Sequence, residues 1–342
     1  NEVPRIDYTD SEDGVFLLEK ASTNLIPYSE DFSQSSWLKV NNAIVSATKV
    51  ISPDGTLNAS QIIFDGTNQG RIEDGISGLT QGAYYTVSVY ARVSSGTQVV
   101  EFGSVSDFEY TLTTKWQRLT STEIENDTVG YPRLICNDNA IVEIYGFQLE
   151  QNSVASSYIP TQGTIQTRVA ETANGSGNSE VFNSEGVLFA NIAANSKGDG
   201  YKLISITDSN SGNSFVSIGM MNSTTQSYKQ IRFGGVNLFT DFTDPINQTS
   251  FNKIAIKYKS GDSSFYVNGF EIDSSSVTYT TITPMTELKF SYFQDGDDFY
   301  GKTKEIAYYD EILTDLELET LTSYRSWLSM VKELNLNIIH NE

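Results

Sequence analysis

The chain has 342 residues, of which 38% are apolar, 12% aromatic and 19% charged, a composition that excludes a disordered protein. Its length exceeds what a single hydrophobic core usually organises, so we expect two domains. The net charge of −21 disfavours nucleic acid and anionic membranes as partners, and no apolar run is long enough for membrane insertion.

The first half of the chain contains short segments that alternate between apolar and polar residues. Residues 85–93 alternate strictly, which places Val87 and Val89 on one face of a strand and Ser88 and Tyr90 on the other. Further strands are predicted at 61–64, 99–102, 116–121 and 141–149. Turn residues such as Pro53-Asp54-Gly55 separate them, and this spacing predicts an antiparallel sandwich.

Residues 163–186 are rich in turn formers and lack apolar periodicity, so they are interpreted as a linker. Strands of a second sandwich are predicted at 187–192, 201–207, 215–220, 231–233, 253–258, 264–267, 271–273, 288–292 and 304–309. Within it, Asn268-Gly269 predicts a type I′ hairpin, because this turn requires positive φ at both central residues.

The chain then carries one clear helix signal. Thr314 with Glu317 forms a capping box, and Leu313 with Leu318 a hydrophobic staple. The apolar stripe of the helix continues through Leu321, Tyr324, Leu328, Val331 and Leu334. The predicted fold is all-β, with two antiparallel sandwiches (jelly rolls) in tandem and a short C-terminal helix. The predicted boundaries are 1–20 for a lead-in, 21–162, 163–186 for the linker, 187–313, and 314–342 for the helix and tail.

Blocks of the first half resemble a module of phage tail and other virion structural proteins, which is similar to a carbohydrate-binding-module jelly roll. The matching blocks follow in the module's order: 4–8 (PRIDY), 17–32 with Trp37, 52–56, 84–91, 116–118, 144–150 and 157–161. The second half, through 251–258, 266–269 and 301–309, is similar to laminin G-like, concanavalin A-like sandwiches.

The resemblance implies a protein on the virion surface, in a tail fibre or capsid fibre, that binds host cell-surface polysaccharide beside other virion proteins. Fibres are often trimeric, so a homotrimer stays open, although no heptads indicate one. Two alternatives remain: a purely structural decoration or spacer module, and a polysaccharide depolymerase with an unrecognised active site.

Few residues suit catalysis. Cys136 is the only cysteine and lies in an apolar run, and His340, the only histidine, lies in a polar tail. Glu271 and Asp273 begin a glucanase-like carboxylate pattern, but Ser276 stands where its second glutamate belongs. We therefore expect no enzyme activity.

Sugar binding requires an aromatic platform with polar side chains beside it. Tyr90 and Arg92 share the non-core face of one strand, and the remaining candidates are Trp37, Gln69, Arg71 and Tyr84. Trp37 and Tyr84 could instead be packing residues, and packing is the expected role of Trp116 and Trp327.

One acidic loop is a candidate metal site. Asp295, Asp297 and Asp298 are closely spaced carboxylates of the kind that Ca²⁺ binds, without the spacing of an EF-hand. The alternative is a solvated acidic turn.

Overall fold

The computed structural model describes residues 5–9, 12–208, 212–239, 245–280, 283–324 and 329. Antiparallel strands dominate these residues, and one short helix follows them, so the predicted all-β fold class of antiparallel sandwiches is confirmed. No helix in the described part of the chain is long and apolar enough to cross a membrane.

The described residues form strands that are numbered here in chain order. The first two are β1 (Ile6–Asp7) and β2 (Val15–Leu18). They are followed by β3 (Ser22–Asn24), β4 (Trp37–Val40), β5 (Ile44–Val50), β6 (Ala59–Asp65), β7 (Gly70–Asp74), β8 (Ile76–Ser77), β9 (Tyr84–Val93), β10 (Gln98–Gly103), β11 (Asp107–Leu112), β12 (Gln117–Ile124), β13 (Val129–Gly130), β14 (Arg133–Cys136), β15 (Asn139–Glu150) and β16 (Gln166–Arg168). The last are β17 (Asn174–Ser176), β18 (Gly186–Ala194), β19 (Lys202–Thr207), β20 (Ser214–Met220), β21 (Ser227–Phe233), β22 (Val236–Asn237), β23 (Asn252–Tyr258), β24 (Ser263–Val267), β25 (Phe270–Ser275), β26 (Glu287–Lys289) and β27 (Gly301–Tyr309), before helix α1 (Asp315–Thr322).

The chain forms two compact units, and one is inserted in the other. The inserted unit is Ala21–Ala170, and the flanking unit combines Asn1–Lys20 with Glu171–Glu342. The predicted lead-in, 1–20, therefore supplies β1 and β2 to the flanking unit, where β2 pairs with β27. The predicted linker, 163–186, contains β16 and β17, whose turn-rich sequences pair through backbone hydrogen bonds and give no apolar signal.

The inserted unit is a sandwich of two five-stranded sheets, ordered β11-β10-β14-β7-β4 and β12-β9-β15-β6-β5. Strict alternation in β9 sends Val87, Val89 and Ala91 into the core. They pack there with aromatic residues that include Phe147 and Trp37. The alternation predicted from sequence therefore determines which face of this sheet stays polar.

The two ends of the inserted unit are joined by hydrogen bonds. Strand β3 pairs with β16, so the chain enters and leaves the unit at neighbouring positions. Buried Asn24 donates to the carbonyls of Phe147 and Ile159 and accepts from the amide of Leu149. These bonds hold the first strand of the unit against its longest strand, β15.

The flanking unit is a second sandwich, with sheets ordered β1-β2-β27-β18-β23-β24-β25 and β17-β26-β19-β20-β21-β22. The predicted hairpin between β24 and β25 is present, and Asn268 and Gly269 both have positive φ, 52° and 92°. Its predicted likeness to laminin G-like sandwiches stays a prediction.

Helix α1 packs on the outer side of the first of these sheets. The predicted capping box between Thr314 and Glu317 is confirmed, and Leu318 is buried against that sheet. Two lysines of β23 hold its ends: Lys257 Nζ lies 3.3 Å from the Asp315 carboxylate, and Lys253 Nζ donates to the Ser323 carbonyl at 2.7 Å. Leu328, Val331 and Leu334 of the predicted stripe lie outside the described residues.

The insertion predicts that each unit folds without the other. Within the flanking unit, the Glu171 amide donates to the Glu19 carbonyl at 3.0 Å, so the two chain segments that flank the inserted unit are already adjacent. Deleting residues 21–170 and joining Lys20 to Glu171 through Gly-Gly should leave one cooperative thermal transition. A short turn closes the gap between adjacent ends at a low entropic cost. Residues 21–170 expressed alone should show another.

A deletion of residues 15–170 is the matched control. It also removes β2, whose Val15 and Leu18 are buried in the flanking unit, and it should abolish the cooperative transition. Circular dichroism melting measures all three proteins. If neither separate unit melts cooperatively, the two units form a single folding unit.

Candidate functional site

Polar and aromatic side chains collect on the outer face of the sheet β12-β9-β15-β6-β5. Tyr90 and Arg92 project from β9 on the side opposite the core residues Val89 and Ala91. We call this surface the Trp116 face; it comprises Gln61, Tyr90, Arg92, Trp116, Arg118, Glu143 and Tyr145. The residues come from four strands and the turn before β12, so their assembly depends on strand register.

An ion pair at one end of this face lies against an indole ring. Arg92 Nε donates to Glu143 Oε2 at 2.6 Å, and Gln61 Nε2 donates to Glu143 Oε1 at 3.2 Å. The guanidinium carbon of Arg92 lies 4.6 Å from the centre of the Trp116 ring. Because Arg92 and Trp116 are both only partly buried, the cation and the ring are presented to solvent together.

A second arginine lies beside the tyrosines of the face. Arg118 is placed over the ring of Tyr90, 5.4 Å from its centre, and donates through Nη2 to the Ser156 carbonyl at 2.7 Å. The Tyr90 ring in turn lies 6.3 Å from that of Tyr145. Arg118 thus connects the face to the segment that follows β15.

The hydroxyl of Tyr145 donates to Asp54 Oδ2 at 2.7 Å. Hydrogen bonds from Ser52 and Thr56 hold the pKa of the Asp54 carboxyl well below its usual value, and Tyr145 adds to this effect. Burial raises the pKa of Tyr145, and its bond to Asp54 raises it further. Asp54 is therefore ionised and Tyr145 protonated at neutral pH.

The structure separates the six residues predicted for sugar binding. Tyr90 and Arg92 meet on the Trp116 face. Trp37 is 1% exposed and packs between Phe32 and Phe147, so its ring is part of the core and the packing alternative holds.

The other three lie away from this face. Tyr84 is exposed, but it stands at the opposite end of β9, about 20 Å from Tyr90 at the usual rise of a strand. Gln69 precedes β7, and Arg71 on β7 pairs with Glu73 at 2.8 Å. Strand β7, which carries Arg71, belongs to the other sheet of the inserted unit, and Gln69 lies directly before it.

The prediction that Trp116 packs in the core is wrong. It was expected in the core, yet it is partly exposed, with Nε1 donating to the Ile51 carbonyl at 3.3 Å. Its position in the sequence could have indicated this exposure. Trp116 lies directly after a turn and immediately before β12, so the alternation of that strand does not bury its side chain. Trp327 lies outside the described residues.

The acidic loop predicted to bind calcium lies in the flanking unit. Asp295 accepts from Lys289 at 2.7 Å, and Asp298 accepts from the Tyr300 hydroxyl at 3.0 Å. Burial and the Asp298 charge raise the pKa of Asp297. Among the described residues no group of three or more histidine, cysteine or carboxylate side chains is arranged to hold a metal ion. Calcium stays a prediction from the sequence.

The Trp116 face offers three kinds of contact at once. Arg92, Arg118 and Gln61 are donors and Glu143 is an acceptor, with the neighbouring Asp54 as a second acceptor beside Tyr145, and the face carries partly exposed rings. A sugar hydroxyl can both donate and accept, and the C–H side of a pyranose packs on an aromatic ring. The arrangement therefore has the chemistry required to bind a carbohydrate.

No family model and no curated protein matches the chain. Among solved structures it is similar to a carbohydrate-binding module, the Ruminococcus gnavus IT-sialidase CBM40 bound to α2,3-sialyllactose, at 16% identity, over 45% of this chain and 97% of that one, with a TM-score of 0.34. It is also similar to the CBM22-1 xylan-binding domain of Paenibacillus barcinonensis Xyn10C, at 14% identity, over 40% and 99%, with a TM-score of 0.32.

A third similar structure is the NanB sialidase of Streptococcus pneumoniae, at 19% identity and a TM-score of 0.34. The match covers 44% of this chain and 28% of the sialidase, so the chain spans little more than a quarter of that enzyme. Scores this low do not assign a ligand to the chain. The side chains of the Trp116 face are the basis for its function.

Substituting Asp54→Asn tests the electrostatics of the face. The folded pKa of Asp54 is lowered, so its ionised form stabilises the fold above the unfolded pKa of about 3.9, and this contribution disappears as pH falls through the folded value. Because Asp54 is exposed, we expect a loss of under about 1 kcal/mol at pH 7. The difference from wild type should shrink progressively below pH 4. Urea unfolding at several pH values measures it, and an equal difference at every pH would contradict this electrostatic account.

Proposed function

We propose that the inserted unit binds glycans through the Trp116 face. The single observation that carries this proposal is the Arg92 guanidinium placed between the Glu143 carboxylate and the Trp116 ring, with both cation and ring partly exposed. The pair is held in position by the neighbouring donor Gln61, so little side-chain entropy is lost when a ligand binds.

We further propose that binding occurs without cleavage. Glycoside hydrolysis needs one carboxylic acid whose pKa is raised so that it can donate a proton. On this face Glu143 accepts from Arg92 and Gln61, and the pKa of Asp54, which lies beside the face, is lowered. Burial also raises the pKa of the Cys136 thiol, which disfavours a thiolate nucleophile.

The proposed setting is the surface of a phage virion, in a tail fibre or capsid fibre. The sequence blocks from 17–32 to 157–161 support this setting. A fibre presents many copies, and avidity then raises apparent affinity by roughly 10²–10⁴ where geometry allows simultaneous contact. Antibodies against the purified protein should label the outside of virions from a lysate that contains it, as seen by negative-stain electron microscopy. Labelling confined to non-virion material would reject the setting.

Binding to an array of bacterial surface polysaccharides tests the glycan proposal. Replacing Trp116 by alanine should weaken binding about tenfold or more, because an aromatic–sugar contact combines apolar burial with ring geometry. Tyr84→Ala is the matched control: it removes an exposed aromatic ring from β9, about 20 Å from Tyr90, and should bind like wild type.

Three other outcomes would each be decisive. A folded protein that binds no polysaccharide would favour the structural decoration module. Equal losses for Trp116→Ala and Tyr84→Ala would place the binding surface elsewhere. Newly released reducing ends would identify a depolymerase.

A further inference from the structure

The flanking unit has a polar and aromatic surface of its own. Alternation in β21 sends Ile231 and Phe233 into the core and leaves Gln230 and Arg232 on the outer side of its sheet. We call this surface the Tyr292 face; it comprises Tyr201, Tyr228, Gln230, Arg232 and Tyr292. All except Tyr228 are partly exposed.

Packed aromatic rings hold this surface in place. The rings of Tyr201 and Tyr228 meet edge to face at 5.8 Å, and those of Tyr228 and Tyr292 at 6.5 Å. Beside Tyr292, buried Phe215 and Phe293 stack at 4.2 Å, and Phe293 also contacts Tyr292 at 4.4 Å. The exposed rings therefore rest on a rigid base, which lowers the cost of ordering them around a ligand.

The polar side chains of the face differ in their hydrogen bonding. The amide oxygen of Gln230 accepts hydrogen bonds from the hydroxyls of both Tyr228 and Tyr292. The Arg232 side chain forms no hydrogen bond or ion pair with the described residues, and its Nε is buried without a partner. A buried donor without an acceptor is costly, and a charged one more so.

Other charges nearby do not neutralise this arginine. In the acidic loop that follows Tyr292, Asp295 is paired with Lys289, and Asp298 accepts from Tyr300. The Asp297 side chain is largely exposed, and its negative charge acts on Tyr228 and Tyr292, but it forms no ion pair with Arg232. The net charge of −21 repels a carboxylate ligand only weakly, because salt at physiological strength screens exposed charges that lie more than about 8 Å away.

We propose that the Tyr292 face is a second binding site, which takes a sugar residue bearing a carboxylate. Arg232 binds the carboxylate through its planar fork of N–H donors, the geometry that makes arginine the usual partner of this group. Tyr201 and Tyr292 present ring surface to the sugar. This site is separate from the Trp116 face and does not rest on the function proposed for that face.

Isothermal titration with matched acidic and neutral probes tests this site. The acidic probes are trigalacturonate and α2,3-sialyllactose, and the neutral ones are methyl-esterified trigalacturonate and lactose. Wild type should bind at least one acidic probe tenfold or more tightly than its neutral counterpart. Arg232→Met should remove that preference, Arg232→Lys should keep part of it, and Trp116→Ala should still bind the acidic probe more tightly than its neutral counterpart.

Arg71→Met is the matched control, because it removes a surface arginine that is already paired with Glu73. Arg232→Met should not lower the melting temperature, since the Arg232 side chain has no partner among the described residues and its buried Nε–H is unsatisfied. Equal binding of acidic and neutral probes, or an acidic preference that survives Arg232→Met, would overturn the second site. Loss of all binding in Trp116→Ala would also overturn it while supporting the Trp116 face.

Discussion

A buried carboxylate organises the inserted unit. Glu150, at the end of β15, is fully buried, and it forms no ion pair with the described residues. Its charge is met by hydrogen bonds: Oε1 accepts from the Ser156 amide at 2.7 Å and from Gln148 at 2.8 Å. Oε2 accepts from the hydroxyls of Ser22 and Ser156 at 2.5 and 2.6 Å. Leaving any of these donors out would cost roughly 1–3 kcal/mol or more, because the carboxylate has no water to replace it.

This requirement connects the topology of the chain to its candidate site. Ser22 is the second residue of the inserted unit, so satisfying Glu150 fixes the start of the unit on its longest strand. Ser156 uses its amide and hydroxyl for Glu150 and its carbonyl for Arg118, which is placed over Tyr90. The network that holds the start of the unit against β15 therefore also orients one edge of the Trp116 face. A fold tolerates an inserted unit whose two ends lie side by side, since the chain of the flanking unit is then interrupted only over a short distance.

Local features of the sequence predicted much of this fold. Alternation identified β9 and its polar face, Asn268-Gly269 identified a hairpin, and Thr314 with Glu317 identified the start of the helix. The insertion was not predicted, because β2 pairs with β27 across nearly the whole chain and no local pattern records such a partner. Trp37 and Trp116 illustrate the same limit for the site. Trp37 begins β4 and Trp116 immediately precedes β12, and only the tertiary packing against Phe32 and Phe147 makes Trp37 a core residue.

The central claim is that glycan contacts the ring of Trp116 beside Arg92. The most direct measurement is a titration of polysaccharide fragments into ¹⁵N-labelled protein, followed through the indole N–H signals by nuclear magnetic resonance. The indole signal of Trp116 and the Nε signal of Arg92 should shift in a saturable manner, whereas the indole signal of Trp37, buried in the core, should stay in place. Saturable binding that leaves the Trp116 and Arg92 signals unmoved would contradict the account.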